Sequence, residues 1–479
     1  MSPTLIISCI TGYFGFLLLI AWYTSRNANN QSYFLANKAA PWYAVAFGMI
    51  SDSLSGVTFI SVPGSVGFAH FSYLQVILGY FFGYFFIANV LLPLYYNRNL
   101  TSIYSYLLER FGKFSQKTGS FFFLLSRMLG AAARLYLTAS VIQLFVFDAM
   151  GVPFWLSVSI IIALILLYTY KGGIKTLVWT DTFQSAFLLL GVALSIAAIS
   201  HEMGFGIKDM FNAVANSNMT QTFFWEWQEK SFFPKQFIGG IFIAVAMTGL
   251  DQNMMQKNLS CRSLGDAQKN IRWFSLVMVI VNVFFLSLGV LLYMYANAKG
   301  VTVARTDFLF PTLALDHLGA FAGIVFIVGL TAATFSSADS VLTTLTTSFM
   351  IDFHLTSTSA SEENVKRIRH LTHIGFAVIL LVVILLFRVM NKQAIIDTVL
   401  QLAGYTYGPL LGLFFFGIFT KRSVIDKLVP VVCLLAPVVC YFLDANSKEL
   451  FNGYLFGNEL LIVNGLLTFL GLSAITKKN

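Results

Sequence analysis

The chain carries thirteen continuous apolar stretches, each about as long as a helix that crosses a bilayer. A membrane-crossing helix needs about 20 mostly apolar residues, whereas a membrane β-barrel shows segments of about ten residues with alternating polarity. The uninterrupted runs therefore predict an all-α polytopic membrane protein with about 13 transmembrane helices. The stretches lie near residues 4–23, 42–68, 73–97, 118–149, 153–170, 176–201, 235–255, 271–296, 318–352, 372–391, 394–420, 427–443 and 459–475.

Composition excludes the other classes of chain. Of the 479 residues, 57% are apolar and only 11% are charged, whereas soluble domains average about 25% charged residues. Disordered chains are poor in aromatic residues, but aromatic residues make up 16% of this one. No loop between the apolar stretches is long enough to form a soluble domain, so we expect a single membrane domain over residues 1–479.

The distribution of Lys and Arg predicts the orientation in the membrane. With the N-terminus outside, the inside loops hold 20 of the 30 Lys and Arg residues and the outside loops hold 8, a count that places Lys257 in an inside loop. Inside loops of membrane proteins are enriched in these residues. We therefore expect a cytoplasmic C-terminus, and the net charge of +9 reflects topology and affinity for the lipid bilayer. A nucleic-acid partner would need a basic folded domain, and we expect none.

Two of the apolar stretches are interrupted by polar residues at mid-membrane depth. The second contains residues 51–56, which read SDSLSG, and the seventh contains Gly239, Gly240 and the run 248–251, which reads TGLD. Irregular backbone at this depth survives only where protein or water covers it. The two stretches are five apart, which gives the second copy the opposite orientation. Such spacing is typical of inverted repeats that bind solute where broken helices meet.

Three motifs resemble those of the sodium:solute symporter family. Residues 170–184 read YKGGIKTLVWTDTFQ and resemble the family's signature after its fourth core helix. Residues 332–340, AATFSSADS, resemble its eighth core helix, and residues 408–422 resemble its tenth. The motifs occur in the family's order and spacing, and the resemblance covers about residues 1–425.

The resemblance implies the leucine-transporter-type fold, in which two five-helix repeats are inverted relative to each other. The repeats would span residues 39–202 and 233–425, with an extra N-terminal helix in 1–38 and extra helices in 426–479. It also implies a sodium-coupled symporter rather than an enzyme. The imported solute would be small, polar and organic: a sugar acid such as sialic acid, or another carboxylate or sugar. A bacterial inner membrane is the implied location, and a monomer would suffice for function.

The ninth stretch carries a polar stripe with the spacing of one helical face. Its members follow at i, i+3, i+4, i+7 and i+11: Ser336, Asp339, Ser340, Thr343 and Thr347. A polar stripe with a carboxylate in a membrane helix faces the protein interior. Oxygen ligands without imidazole or thiol favour a hard cation over a transition metal. The alternative is that the hydroxyls only join helices.

The resemblance also implies one sodium site, and some members of the family carry a second. The first would use carbonyl and hydroxyl oxygens of Ser51, Leu54, Ala333, Ser336 and Ser337. A second sodium would be bound by Asp181, Ser336, Asp339 and Ser340. The alternative for the second set is that Asp181 and Asp339 balance buried arginines, so the resemblance implies one or two sodium ions.

Two arginines lie seven residues apart on the fourth stretch. Arg127 and Arg134 therefore share a helix face about two turns apart. Either arginine could bind an anionic group of the solute as a fork, or pair with a buried carboxylate of Asp52, Asp251 or Asp339. Arg134 resembles the carboxylate-binding arginine of sialic-acid-transporting members. Asp52 could pair with Arg134 or accept a proton.

Several further residues are candidate solute contacts. The resemblance suggests Ser53, Ser55 and Thr58, whereas Ile77 stands where a glutamine is expected, with Gln75 nearby. Met247 and Met278 stand where sugar-transporting members have a tyrosine and a lysine, which disfavours glucose or galactose. The full set of candidate contacts is Ser53, Ser55, Gly56, Thr58, Tyr73, Gln75, Arg134, Gln252 and Tyr405.

Alternatives remain open at this point. Transport of a neutral solute, proton coupling through Asp52 or Asp339, and a membrane sensor that does not transport are each compatible with the sequence. An intramembrane protease is disfavoured because the aspartates accompany hydroxyl stripes suited to cations. A channel is disfavoured because no repeated filter loop is visible. Cys261 precedes Arg262, which could activate its thiol, although an unreactive thiol is the simpler interpretation.

Overall fold

The computed structural model describes residues 2–25, 38–353, 362–390 and 395–477. Within them the chain is mostly helical, as predicted, and the connections also contain short helices, the longest of them Ile207–Ala215. The main helices in chain order are α1 Pro3–Ser25, α2 Trp42–Ser53, α3 Gly56–Ala69, α4 Ser72–Asn97, α5 Lys113–Met150, α6 Phe154–Glu202, α7 Phe233–Gly249, α8 Gln252–Leu259, α9 Leu264–Lys299, α10 Gly319–Asp352, α11 Glu362–Met390, α12 Ile395–Thr406, α13 Gly408–Phe419, α14 Val429–Ala445 and α15 Leu460–Ala474.

Every predicted apolar stretch has a helical counterpart. In the described residues, eight helices are long and apolar enough to cross a membrane, and three bent helix pairs satisfy the same test together. The predicted stretches 153–170 and 176–201 are not separate helices but lie within the single helix α6, and the apolar helix Leu460–Ala474 matches the last stretch. The thirteen crossings stay a prediction. Residues 26–37, position 394 and the last residues of the predicted segment 426–479 lie outside the described residues.

The interruptions predicted at mid-membrane depth are helix breaks. The α2–α3 pair bends by 56° at Leu54 and Ser55, and the α7–α8 pair bends by 64° at Leu250 and Asp251. A third pair, α12–α13, bends by 44°, and sequence reasoning did not single it out. Pro409 lies in the first turn of α13, where its missing N–H interrupts the hydrogen-bond ladder of a continuous helix.

Tyrosine hydroxyls and an aspartate satisfy the backbone freed by the α7–α8 break. Tyr95 donates to the Gly249 carbonyl at 2.9 Å, and Tyr104 donates to the Leu250 carbonyl at 3.0 Å. The Asp251 carboxylate accepts from the Met254 N–H and so caps α8. These bonds replace the water that the unwound segment would otherwise need.

Glycines allow α4 and α7 to pack with their backbones in contact. A Cβ on Gly79 would lie 2.2 Å from the Phe237 carbonyl oxygen, and one on Gly240 would lie 2.3 Å from the Val76 carbonyl oxygen. Small residues at such interfaces are how membrane helices approach closely. Helices α5 and α10 form the interior, while α11 and α14 are largely exposed on the outer face of the bundle.

Candidate functional site

The broken helix α2–α3 opens onto an inner cavity of about 70 Å³ that helices α4, α5 and α7 also line. An outer vestibule of about 620 Å³ lies next to it. Tyr73, Ile243, Ile396 and Leu400 line both spaces, so these four side chains lie between the inner cavity and the vestibule. The volume of the inner cavity is enough for only a few water molecules, whereas the vestibule is large enough for a small organic solute.

Arg127 is engaged in a buried ion pair. Its Nε lies 2.5 Å from Oδ2 of Asp251 and its Nη2 lies 2.7 Å from Oδ1. The Tyr407 hydroxyl donates to the same carboxylate at 2.6 Å. The cluster therefore joins α5 to the α7–α8 break and to the α12–α13 break. Of the two roles considered for Arg127, the structure shows the pairing with a buried carboxylate.

Arg134 is placed differently, although it lies on the same helix. It is partly exposed and lines the inner cavity. Throughout the described part of the chain, no carboxylate forms an ion pair with it. Its guanidinium is therefore a cation open to the cavity, which is the property that an anion site requires.

The residues proposed for the first sodium come together between α2 and α10. The Ser336 hydroxyl donates to the Ser51 hydroxyl at 2.7 Å, and the Ser337 hydroxyl donates to the Ala333 carbonyl at 3.3 Å. Leu54 lies at the break itself and lines the inner cavity. The Ser51 and Ser336 hydroxyls thus meet between the two helices, hydroxyl oxygens suit a hard cation, and the full ligand set stays a prediction.

Two of the residues proposed for a second sodium, Asp181 and Ser340, contact a lysine. Lys257 Nζ lies 2.5 Å from Asp181 Oδ2, 2.5 Å from Asp52 Oδ2 and 3.1 Å from Ser340 Oγ. The Ser336 hydroxyl donates to the other Asp181 oxygen at 3.0 Å, and Asp339 is fully buried beside Ser340. The alternative in which Asp181 balances a buried arginine is corrected in one respect, because its cationic partner is Lys257.

Besides Arg134, four candidate solute contacts line the inner cavity. Ser53, Ser55 and Thr58 reach it from the α2–α3 break, and Tyr73 reaches it from α4. Met247 and Met278 also line it. These are the two methionines whose presence disfavours glucose or galactose as the solute.

Four other candidates are absent from the cavity lining within the described residues, and each has a structural role. Gln75 is fully buried and donates to the Ser231 carbonyl. Gln252 is bound through its amide to the backbone of residues 101 and 103, and the Tyr405 hydroxyl bonds Asp444. Gly56 meets two threonine hydroxyls that would lie within 2.8 Å of a Cβ. These four residues therefore do not line the inner cavity in the described structure, and their contact with solute stays a prediction.

Sequence reasoning missed Lys257 and the cavity tyrosines Tyr80 and Tyr84. Lys257 was counted as a basic residue of an inside loop, but its side chain is about 1% exposed. The available signal was the polar run 251–258, DQNMMQKN, in which amides surround the lysine directly after a break. Tyr73, Tyr80 and Tyr84 follow at i, i+7 and i+11, which is the spacing of one helical face.

Broken helices that meet at a cavity, with clustered oxygen ligands and a cavity-facing cation, define the class as a transporter of the cation-coupled, inverted-repeat type. The chain belongs to the sodium:solute symporter family, whose profile matches residues 33–425. It is therefore a multi-pass membrane protein that couples movement of a small solute to sodium, and its relatives are transporters rather than enzymes.

Two bacterial relatives and one solved structure are similar over most of the chain. The chain is 26% identical to the sodium/sialic acid symporter NanT of Aliivibrio fischeri over 95% of its own length and 91% of that protein. It is 26% identical to SiaT of Proteus mirabilis, also a sodium/sialic acid symporter, over 89% and 88%. The structure of a substrate-bound, outward-open Na⁺-coupled sialic acid symporter matches with a TM-score of 0.84 at 21% identity, covering 99% of both chains. The predicted leucine-transporter-type fold is confirmed.

Proposed function

We propose that the chain imports an anionic sugar acid of the sialic acid type together with sodium. The observation that carries the proposal is the contrast between the two arginines on α5. Arg127 is neutralised by Asp251, while Arg134 lines the cavity without a carboxylate partner in the described residues. A partly buried guanidinium without a counter-ion favours a bound carboxylate, to which it can donate two parallel hydrogen bonds.

The first sodium would bind between α2 and α10, at Ser51, Leu54, Ala333, Ser336 and Ser337. Support comes from the short contact between the Ser51 and Ser336 hydroxyls, because a cation there would join the break of α2–α3 to the interior helix α10. Leu54, Ser55 and Thr58 line the solute cavity on the same broken pair. Sodium that orders the break would therefore also order the solute cavity, and this linkage couples the two ligands.

The orientation, the repeats and the location belong to the same proposal. The N-terminus would lie outside and the C-terminus in the cytoplasm of a bacterial inner membrane, with inverted repeats over 39–202 and 233–425. Support for the repeats comes from the α2–α3 and α7–α8 pairs, which place a break near the start of each half. The oligomeric state is not part of the proposal, because one chain contains the whole cavity.

Uptake into proteoliposomes tests the proposal. An inward sodium gradient should drive uptake of labelled N-acetylneuraminic acid, and neutral sugars, inositol, proline and short carboxylates complete the panel. Arg134→Ala should raise KM at least tenfold, since a charge-assisted pair contributes about 1.5–3 kcal/mol, and Arg134→Lys should be intermediate. Arg388→Ala removes a cation at the end of α11, outside the cavity lining, and should leave uptake unchanged. Sodium-driven uptake of neutral solutes alone would contradict the proposal.

A further inference from the structure

Lys257 is a charged side chain in the interior of the protein. It lies on α8, the short helix after the second break, and every residue of α8 is buried. Lys257 is among the largest fully buried side chains in the described residues. Burying an ammonium is costly unless oxygen atoms replace its water, so its surroundings must supply them.

The surroundings match the hydrogen-bonding capacity of the ammonium. A lysine ammonium has three donors and no acceptor, and three oxygen atoms on three helices lie within 3.1 Å: Asp52 on α2, Asp181 on α6 and Ser340 on α10. The Asn253 amide also donates to Asp52, at 3.1 Å. The ammonium is therefore held as a small cation would be held, by carboxylate and hydroxyl oxygens.

Two of these three oxygen ligands are the ones expected for a second sodium. Asp181 and Ser340 belong to that set, and Lys257 Nζ lies against both. A sodium ion bound by the same oxygens would be in contact with the ammonium, and like charges at that distance repel strongly in a buried site. The residues present therefore do not fit a second sodium ion.

The charge of the contact cluster leads to the same conclusion. Asp52, Asp181 and Lys257 together carry one net negative charge when all three are ionised. The other Asp181 oxygen accepts from Ser336, whose hydroxyl also contacts Ser51. These serines belong to the proposed first sodium site, so one sodium ion there would lie beside the cluster and balance the remaining charge.

We propose that Lys257 is a tethered cation that takes the place of a second sodium ion, so that one sodium ion is coupled in each transport cycle. The number of coupled ions rests on the proposed first sodium site, but the replacement itself does not. Lys257 is then the residue that determines how many sodium ions are coupled in each transport cycle. A substitution that removes its charge should create a sodium site where none exists in the natural chain.

Equilibrium binding of ²²Na⁺ to the purified full-length protein tests the proposal without any solute. The natural chain should bind one sodium ion at saturation, Lys257→Gln should bind two, and Lys257→Arg should bind one. The double variant Lys257→Gln, Asp181→Asn should return to one, because the new site loses one of its two carboxylates. A count for Lys257→Gln equal to that of the natural chain would overturn the proposal, as would two ions in the natural chain.

A second variant keeps the test decisive if Lys257→Gln does not fold. Ser340→Ala leaves both lysine–carboxylate contacts in place. It should leave the sodium count unchanged, whereas loss of one ion would show that Ser340 binds sodium and would overturn the proposal. No sodium binding by the natural chain would contradict the proposed first site. In that case a gain of one ion in Lys257→Gln would still support the tethered cation, and no gain would overturn it.

Discussion

At the residue scale, the two arginines on α5 show how neighbouring elements determine the role of a side chain. The seven-residue spacing places Arg127 and Arg134 on one face, and both line the inner cavity, but only Arg127 forms an ion pair in the described residues, with Asp251 at the α7–α8 break. One charge contributes to structure and the other is available for a ligand. The spacing alone does not separate these roles, because the separation depends on helices far away in the sequence.

Loss of the Arg127 charge should destabilise the fold. Arg127→Gln leaves the Asp251 carboxylate buried without its cation, and breaking one side of a buried pair costs about 3–5 kcal/mol. Thermal unfolding in detergent should show a large drop in Tm, and Arg127→Gln, Asp251→Asn together should recover part of it. The matched control is Arg98→Gln, which breaks the exposed pair with Glu109 and should change stability by less than about 1 kcal/mol. Equal effects of the two single variants would contradict the prediction.

Cys261 should be unreactive in the folded protein. Burial, with a smaller contribution from the charge of Asp266, raises the pKa of its thiol to about 12, so activation by Arg262 does not occur. The thiolate is the reactive form, and at pH 8 it makes up on the order of one part in ten thousand for such a pKa.

Maleimide labelling checks this prediction. In a variant that keeps Cys261 as its single cysteine, labelling at pH 8 should be negligible until the protein is denatured, and between pH 7 and 9 the rate should rise about tenfold per unit. A cysteine introduced at the exposed position Lys421 in a cysteine-free background is the control and should react within minutes. Labelling of native Cys261 at the control rate would show that the thiol is accessible.

At the element scale, the breaks follow from local sequence only in part. Glycines and polar residues at mid-membrane predicted the α2–α3 and α7–α8 breaks, because such residues cannot face lipid. The tyrosines that satisfy the freed carbonyls were not predictable, since Tyr95 and Tyr104 lie about 150 residues away and look like ordinary membrane aromatics. The α12–α13 break also went unpredicted, because residues 404–408 read GYTYG and carry no charged side chain, and a proline is common in the first turn of a helix.

The contact between α4 and α7 should be intolerant of side chains. Gly240→Val would place a branched side chain against the Val76 carbonyl, which already lies 2.3 Å from a hypothetical Cβ. Overpacking of this kind costs about 1–3 kcal/mol or more, and backbone contacts leave no flexible atom to move. The yield of monodisperse protein and its Tm should both fall.

Gly375→Val is the matched control for this prediction. No atom lies within 4 Å of a Cβ at Gly375, and the residue is exposed on α11. It should therefore behave like the natural chain. Equal loss of folded protein in the two variants would mean that valine itself, rather than the α4–α7 contact, causes the loss.

At the scale of the whole molecule, the fold was predictable and the ion site was only partly so. Apolar stretches, two breaks and three motifs were enough for the helices and the family. They also located Asp181 and Ser340, but not the cation beside them. The seventh apolar stretch ends at Met255, so the sequence predicts that Lys257 lies in a loop. In the structure the α7–α8 pair bends, and the bend places Lys257 in the interior.

Transport should be insensitive to voltage if the two proposals hold together. One sodium ion and one monoanionic solute carry no net charge inward, whereas a second sodium ion would add one charge, worth about 2.3 kcal/mol at 100 mV. Proteoliposomes with a potential set by potassium and valinomycin should show similar N-acetylneuraminic acid accumulation at 0 and −100 mV. A roughly 50-fold increase, which that energy corresponds to, would contradict single-sodium coupling.

The hydrogen bond between Tyr407 and Asp251 has a consequence for how this sequence can vary. The two residues lie 156 positions apart, yet one carboxylate serves both the second and the third helix break. A substitution at either position alters two hinges at once, so neither hinge can be adjusted alone. Among homologues, positions 251, 407 and 127 should change together or not at all, and this epistasis should be visible as covariation in an alignment.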